Sequence, residues 1–406
     1  MYDCVVVGAG PLGSNAARLL AVDGHRVLLL EEHPEVGIPV QCAGLITPRV
    51  FEHTPFPIGD LWQNDLHGAI IRSPDGTVVR FETDKVQAQA MDRAAFDQKM
   101  AAAAVEAGAD LLVATKAVAA RRDDTGVTVT LQDASGRRDV RCRLLVGADG
   151  IRGSVARWFR FPAVDETVSA YEVELDGATL PEGPRIIPMF AGQAQAPGFF
   201  SWIIPVGPVD GQGRGRVRAG LAVAPGMTEA AAKRYYERMF TDPQSAPYLE
   251  GTSEVYRIIG GIPLGLRDRL VQDRVALVGD AAGMAKPTSG GGIYMGLVAS
   301  EHLVRVVSPR LATDRLSRGD LVGYERRVRR SIARELRKGT LLRRVHKGLR
   351  DDDLDELARL CGRPKVRQVI ERAGDIDYPS RLVVPLLLAE PRFVGLFVRA
   401  WRQGGP

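Results

Sequence analysis

A glycine-rich segment near the start of the chain, residues 3–32, constrains the fold more than any other part of the sequence. Residues 4–7 form a short apolar run rich in β-branched side chains, which predicts a buried parallel strand. Gly8, Gly10 and Gly13 follow at the G-x-G-x-x-G spacing. In that spacing the first glycine allows a tight turn, the second lets a pyrophosphate approach the backbone, and the third lets the helix press on the strand.

The residues after this turn complete a β-α-β pattern. Residues 14–22 are predicted to form a helix with its positive N-terminal end toward the phosphates, and Gly24 ends that helix. Val27–Leu30 reads as the second strand, and Glu31 follows it as a carboxylate placed to accept hydrogen bonds from a ribose diol. The pattern predicts dinucleotide binding rather than a ligand-free β-α-β unit. It does not separate FAD from NAD(P).

A second glycine-rich turn lies far along the chain. Residues 275–279 read as another buried strand, which leads into Asp280 and then into the Gly290, Gly291, Gly292 run that opens a helix through about residue 307. Two turns that both contact a nucleotide imply a discontinuous domain. Residues 168–225 change to short alternating runs with many Gly and Pro, which predicts an antiparallel sheet inserted into that domain.

The predicted fold class is α/β: a Rossmann-like cofactor domain with an inserted antiparallel substrate domain and a helical C-terminal region. The predicted boundaries are 1–165 and 256–320 for the cofactor domain, 166–255 for the inserted sheet and 321–406 for the C-terminal region. A helix from Arg93 to about residue 107 and strands at 111–118, 127–131 and 143–147 are expected within the first part. Residues 320–350 read as one long helix rich in arginine.

Charge and cysteine content bound the partners and the compartment. The net charge of +5 and the isoelectric point near 9.1 suit a solvated surface or an anionic lipid surface, and no nucleic-acid partner is expected. The four cysteines are dispersed without a C-x-x-C pair, so no metal site is predicted. Met1 leads directly into the first strand, and no run of about 20 apolar residues exists. We therefore expect a cytoplasmic protein that contacts the membrane inner face peripherally.

Several motifs together resemble a known flavoprotein superfamily. They are GAGPLG with Glu31, DRAAFD at 92–97, GADGIRGSV at 147–155, and VGDAAG at 278–283 followed by PTSGGGI at 287–293. This set is similar to the FAD-dependent superfamily that includes aromatic hydroxylases, flavin halogenases and geranylgeranyl reductases. The resemblance implies FAD as the cofactor.

Three details resemble the geranylgeranyl reductases within that superfamily. The GGGI sequence at 290–293 has their form, and VQCAG at 40–44 is similar to their P-V-x-C-x-G segment, although Leu45 stands where several of them have glycine. PGFFSWIIP at 197–205 matches their P-x-x-Y-x-W-x-F-P motif, with Phe200 in place of Tyr and Ile204 in place of Phe. The same stretch comes within one residue of the halogenases' W-x-W-x-I-P, so a flavin monooxygenase or halogenase stays as the alternative.

The resemblance assigns site residues position by position. Gly13 and Glu31 would hold the ADP half, with Gly8 and Gly10 in the same turn and Arg93 and Ala117 nearby. The residues expected to lie along the flavin, its ribityl chain or its pyrimidine edge are Cys42, Ala43, Leu45, Asp280, Gly292 and Ile293. The residues expected to line the substrate pocket are Pro197, Phe199, Phe200, Trp202 and Pro205, and their other interpretation is ordinary sheet core.

The reaction implied by the resemblance is saturation of C=C bonds in a prenyl lipid or isoprenoid, by hydride from reduced FAD and a proton from an acid. Cys42 is the candidate acid, and its other interpretation is a small buried hydrophobic residue. No second G-x-G-x-x-G exists for a nicotinamide domain, so ferredoxin, NAD(P)H or a reduced quinone would all fit as electron donor. A third hypothesis is an FAD-containing lipid-binding protein without activity.

Overall fold

A computed structural model describes residues 1–404. The strands are β1 (Tyr2–Val7), β2 (Val27–Leu30), β3 (Leu45–Ile46), β4 (Trp62–Leu66), β5 (Gly68–Arg72), β6 (Val78–Glu82), β7 (Ala88–Met91), β8 (Asp110–Leu112), β9 (Lys116–Asp123), β10 (Gly126–Asp133), β11 (Gly136–Gly147), β12 (Glu166–Thr179), β13 (Ile186–Phe190), β14 (Ser201–Val209), β15 (Arg214–Val223), β16 (Ser253–Leu264), β17 (Val271–Gln272) and β18 (Val275–Leu277). The α-helices are α1 (Pro11–Val22), α2 (Arg93–Glu106), α3 (Val155–Trp158), α4 (Glu229–Arg238), α5 (Ala246–Leu249), α6 (Ile293–Thr313), α7 (Arg318–Ser331), α8 (Ala333–Gly348), α9 (Asp351–Cys361), α10 (Pro364–Ala373), α11 (Val383–Ala389) and α12 (Arg392–Gln403). Short 3-10 helices occupy Pro48–His53, Gly59–Leu61, Gly279–Ala282 and Pro379–Leu382.

The first sheet is the predicted Rossmann-like layer. Its order is β17-β18-β11-β1-β2-β8, and β1 pairs in parallel with both β2 and β11. The late strand β18 pairs in parallel with β11, so residues about 270 positions from the N-terminus lie one strand away from β1. This pairing puts the late strand in the same sheet as β1, as the predicted discontinuous domain requires. Parallel strands covered on both faces explain the unbroken apolar runs, all of which are buried.

The second sheet contains the predicted antiparallel region. Its order is β16-β12-β15-β14-β13-β5-β6, and only the β13–β5 pair within it is parallel. The domain boundaries at residues 165 and 255 do not follow this sheet, because β5 and β6 come from the first part of the chain and β16 extends to Leu264. β5 joins the second sheet by pairing with β13, and β6 joins it by pairing with β5. Such a long-range pairing leaves no pattern in local sequence.

One predicted strand and one predicted helix are wrong. The strand expected at 111–118 is two strands, β8 and β9, separated by Ala114 at φ +47°. The long helix expected at 320–350 is two helices, α7 and α8, which meet at Ile332. The Ser331 hydroxyl donates to the carbonyl of Arg327 at 3.0 Å, and such back-bonding bends helices.

The C-terminal region divides between two cores, since α7 and the start of α8 pack in the main core and the later helices form a cluster of their own. Phe393, Leu396 and Ala400 of α12 are buried in a cluster shared with α8, α9, α10 and α11. Among residues 1–404, no helix combines the length and apolar character needed to cross a bilayer.

Candidate active site

The first glycine turn has the geometry that its spacing predicts. Gly8 adopts φ +101°, and a Cβ there would overlap the carbonyl oxygen of Ala148. A Cβ on Gly13 would overlap the carbonyl oxygen of Gly8, so α1 lies directly against the end of β1. Gly10 is the N-cap of α1, and a Cβ there would meet nothing within 4 Å. The open side of this turn is therefore at Gly10, where the free N–H groups of α1 begin.

Glu31 lies beside the same helix end. Its carboxylate accepts hydrogen bonds from the backbone N–H groups of Ala9 at 3.2 Å and of His33 at 3.0 Å. The carbonyl of Glu31 accepts from the N–H of Thr115 at 2.8 Å. That bond brings the start of β9, with the buried Ala117, to the end of β2.

The second glycine turn converges on the first. Gly292 is the N-cap of α6, and a Cβ on it would lie 3.2 Å from an oxygen of the Asp280 carboxylate. A Cβ on Gly296, one turn along α6, would overlap the Leu12 side chain in the first turn of α1. The N-termini of α1 and α6, including Ile293, are thus held close together. Two positive helix ends and an adjacent carboxylate form one site.

A buried charge cluster joins α2 to these turns. Arg93, with an 11% exposed side chain, donates to both oxygens of Asp97 at 2.8 and 2.9 Å. Burial alone would lower the pKa of Arg93, but the Asp97 carboxylate and the Cys42 thiol beside it raise that pKa. Burial likewise raises the pKa of Asp280, and the charge of Arg93 opposes this shift. Arg93 therefore lies within electrostatic range of both Cys42 and Asp280.

The cysteine loop is held in place by an arginine that sequence analysis did not select. Arg218, with a 3% exposed side chain, donates to the carbonyls of Ala43 at 2.7 Å and of Met91 at 3.1 Å. Gly44 adopts φ +63°, and a Cβ there would lie 2.5 Å from the guanidinium of Arg218. The alternation of Arg214, Arg216 and Arg218 along β15 gives no signal that only the last of them is buried.

Three of the predicted substrate residues, Phe199, Phe200 and Trp202, lie on the face of the second sheet that turns toward the cysteine loop. Phe199 and Phe200 stack with ring centroids 4.5 Å apart, and Trp202 meets Phe200 edge-to-face at 5.8 Å. Trp202 also shares an apolar cluster with Ala43 and Leu45. Aromatic and loop residues therefore form one continuous wall.

The two prolines at the ends of the PGFFSWIIP stretch accept hydrogen bonds through their backbone carbonyls. Pro197 accepts from the N–H of Ala224 at 2.8 Å, and Pro205 accepts from the side-chain amide of Asn64 at 3.1 Å. Both contacts are made by backbone atoms, so these prolines fix the ends of the aromatic wall.

Comparison with known proteins identifies the family. The family described as "FAD binding domain" matches residues 62–311. The family described as "NAD(P)-binding Rossmann-like domain" matches residues 6–55. The digeranylgeranylglycerophospholipid reductase of Methanocaldococcus jannaschii is 31% identical over 370 residues, which cover 89% of this chain and 91% of that protein. The chain belongs to the geranylgeranyl reductase family. Digeranylgeranylglycerophospholipid reductase 1 of Methanothermobacter thermautotrophicus is also 31% identical, over 88% of this chain and 89% of the relative.

Solved structures place the same architecture in this family and beyond it. A geranylgeranyl bacteriochlorophyll reductase-like protein from Thermoplasma acidophilum has a TM-score of 0.85 at 22% identity, covering 98% of this chain and 99% of that one. A flavin-dependent brominase has a TM-score of 0.70 at 15% identity, with coverage of 97% and 99%. The geranylgeranyl reductase family thus shares its fold with halogenases.

FAD is the cofactor of this geranylgeranyl reductase family member. The residues present fit it, since Gly10 leaves an open approach where α1 begins and the buried Asp280 lies at the start of α6. A pyrophosphate would be neutralised by the first helix end. The second helix end would face an electron-rich ring.

Proposed function

We propose that the protein is an FAD-dependent reductase that saturates C=C bonds of geranylgeranyl chains in a lipid or isoprenoid. The observation that carries this proposal is the identity to the archaeal digeranylgeranylglycerophospholipid reductases over nearly their full length. The aromatic wall of Phe199, Phe200 and Trp202 beside the cysteine loop supports an apolar chain as the substrate.

Reduced FAD supplies hydride when it is bound. An isolated alkene has no carbonyl for the protein to polarise, so the protein contributes position, exclusion of water and a proton. Trp202, packed against Ala43 and Leu45, would fix the chain against the flavin and keep water out. Gly292 and Ile293 would present N–H groups at a positive helix end, where charge accumulates on reduction.

Cys42 remains a candidate proton donor, because its thiol lies beside Arg93 and close to the cofactor-binding turns. The electron donor is a separate partner, and ferredoxin, NAD(P)H or a reduced quinone would all fit. The chain has a single G-x-G-x-x-G and no second one for a nicotinamide domain.

The test is anaerobic. Protein reduced with dithionite is mixed with a geranylgeranyl lipid, flavin reoxidation is followed in the visible band, and the lipid is analysed by mass spectrometry. We expect two hydrogens gained per cycle, a large loss in Trp202→Ala and a weaker reaction in Cys42→Ala. Trp62→Ala is the control, since Trp62 is 49% exposed on β4. If the flavin stays reduced until oxygen enters, the proposal is wrong, and the monooxygenase or halogenase alternative takes its place.

Membrane contact is the second part of the proposal. Val394, Val398 and Trp401 of α12 are 50%, 45% and 37% exposed and recur at i, i+4 and i+7, so they share one face of the helix. On the neighbouring α11, Val384 and Leu388 are 64% and 76% exposed. An exposed apolar face on a basic protein suits an anionic lipid surface.

Vesicle flotation tests this contact. Wild-type protein should float with vesicles that contain phosphatidylglycerol, and the double variant Val394→Asp, Val398→Asp should stay in the dense fraction. Val255→Asp, at a position 47% exposed on β16, is the matched control. Equal flotation of the double variant and the control would refute the role of α12.

A further inference from the structure

Glu172 is a buried carboxyl group that the family motifs do not include. It lies on β12 with 4% of its surface exposed. Its Oε2 accepts a 2.6 Å hydrogen bond from Nε1 of Trp202. Its Oε1 is buried and has no hydrogen-bond partner within residues 1–404. A buried, unpartnered polar atom is costly, which calls for a functional explanation.

The register of the second sheet directs this carboxyl group to the aromatic wall. Gly220 of β15 pairs with Glu172 on one side and with Trp202 of β14 on the other. A Cβ on Gly220 would lie 2.8 Å from the Cβ of Glu172, so the missing side chain gives the indole room to reach across. The hydrogen bond between Trp202 and Glu172 passes over this glycine.

The face that carries Glu172 turns toward the cofactor domain. Ala170 lies two residues before Glu172 on β12, and Ala222 pairs with Ala170 on the adjacent strand. Both belong to an apolar cluster with Ala285, which follows the VGDAAG segment. The opposite face of β12 carries Tyr171, which packs on Tyr236 of α4 with ring centroids 5.0 Å apart. Side chains alternate along a strand, so Glu172 lies on the substrate side.

Burial favours the protonated form of Glu172, against the net effect of its hydrogen-bonded and charged neighbours. Burial raises the pKa of Glu172 to about 7, the Trp202 hydrogen bond and the Arg218 charge lower it, and Glu174 raises it. Arg218 already binds Glu174 at 2.9 Å, so one buried guanidinium serves two carboxyl groups. The remaining titratable groups that interact with Glu172 are the phenols of Tyr256 on β16 and Tyr236 on α4, which are neutral at pH 7. With Oε2 occupied as an acceptor, the proton belongs on Oε1.

We propose that Glu172 is the acid that protonates the prenyl double bond, from the wall that faces the flavin. The inference rests on the proposed function. The O–H bond of Glu172 breaks as a C–H bond forms at one alkene carbon, and hydride from reduced FAD forms the second C–H bond. The alkene gains two electrons and FAD is oxidised. Glu172 is left as a carboxylate beside Arg218 and takes its next proton from solvent.

This assignment divides the two faces of the substrate between two sources. FAD held at the α1 and α6 helix ends would supply hydride from that side, whereas Glu172 lies on the opposing sheet. Cys42 lies on the cofactor side beside Arg93. A proton delivered from the sheet would add to the alkene face opposite the hydride, so a deuterated product should show anti addition.

Single-turnover kinetics test the proposal. Anaerobically reduced wild-type protein should reoxidise with a geranylgeranyl lipid at a rate that falls as pH rises through about 7, with a solvent deuterium isotope effect. Glu172→Gln keeps a carbonyl oxygen that can accept the hydrogen bond from Trp202, but its amide has no acidic proton to donate. It should react about 100-fold or more slowly without that pH midpoint, the size expected for loss of a general acid. Cys42→Ser should keep the wild-type midpoint.

Infrared spectroscopy gives a readout that does not depend on turnover. The wild-type protein should show a carboxylic acid C=O band that disappears with a midpoint near pH 7, and Glu172→Gln should lack it. If that variant does not fold, the wild-type infrared titration and isotope effect decide. Wild-type turnover with an unchanged rate and pH profile in Glu172→Gln would overturn this inference alone. Absence of lipid-dependent reoxidation in the wild type would overturn the proposed function.

Discussion

Replacing Arg218 by Met should destabilise the protein strongly. The substitution keeps an apolar stem of similar length and removes the guanidinium that binds Glu174 at 2.9 Å, Gln63 at 2.8 Å and the Ala43 and Met91 carbonyls. Glu174 is buried and would be left without its main counter-charge. Breaking a buried ion pair in this way costs about 3–5 kcal/mol. Loss of the Ala43 contact should also weaken FAD binding, because it frees the cysteine loop.

The assay is urea unfolding followed by circular dichroism, with FAD affinity measured by flavin fluorescence. Arg216→Met is the matched control on the same strand, because Arg216 is 48% exposed and lies 3.6 Å from Glu174. An exposed ion pair contributes about 1 kcal/mol or less, so this variant should unfold close to wild type. If Arg218→Met and Arg216→Met lose the same free energy of unfolding, our reasoning about the buried cluster is wrong.

Three further substitutions test the cofactor turns. Gly13→Ala should prevent folding or lower the free energy of unfolding by about 1–3 kcal/mol, since its Cβ would overlap the Gly8 carbonyl. Gly10→Ala should fold normally but bind FAD about tenfold or more weakly, as measured by flavin fluorescence. Equal effects of the two substitutions would contradict the assignment of Gly13 to packing and Gly10 to cofactor approach. Asp377→Asn should lower the melting temperature, because the buried ammonium of Lys286, 2.9 Å away in the second turn, loses its carboxylate. An unchanged melting temperature would show that the pair adds no stability.

The cofactor half of the site could be predicted from sequence because its determinants are local. Gly8 and Gly13 are required by contacts within one strand-turn-helix unit, and Glu31 follows directly at the end of the next strand. The late turn at Asp280 could be joined to the first because its strand reads as buried and parallel. Such strands belong to one sheet in this kind of fold.

For the proposed substrate half, the sequence predicts only an apolar wall. Glu172 and Glu174 alternate with apolar residues along β12, as Arg216 and Arg218 do along β15. This alternation is typical of a sheet with one solvated face. Here that face is covered by the cysteine loop and the cofactor domain. Periodicity shows which side chains share a face and contains no information about what covers it, so the buried acid and its counter-ion could not be recognised.

The two departures from the reductase motif bear on the kind of substrate. Phe200 lacks the hydroxyl of the family's tyrosine, yet its ring still stacks on Phe199 and meets Trp202. Ile204 lacks an aromatic ring, but it is buried in the apolar cluster that holds Leu45. Both changes keep the wall apolar and remove a polar atom or reduce its bulk. A wall of this chemistry would suit a hydrocarbon chain, and under our proposal its remaining acid, Glu172, would protonate a double bond in that chain.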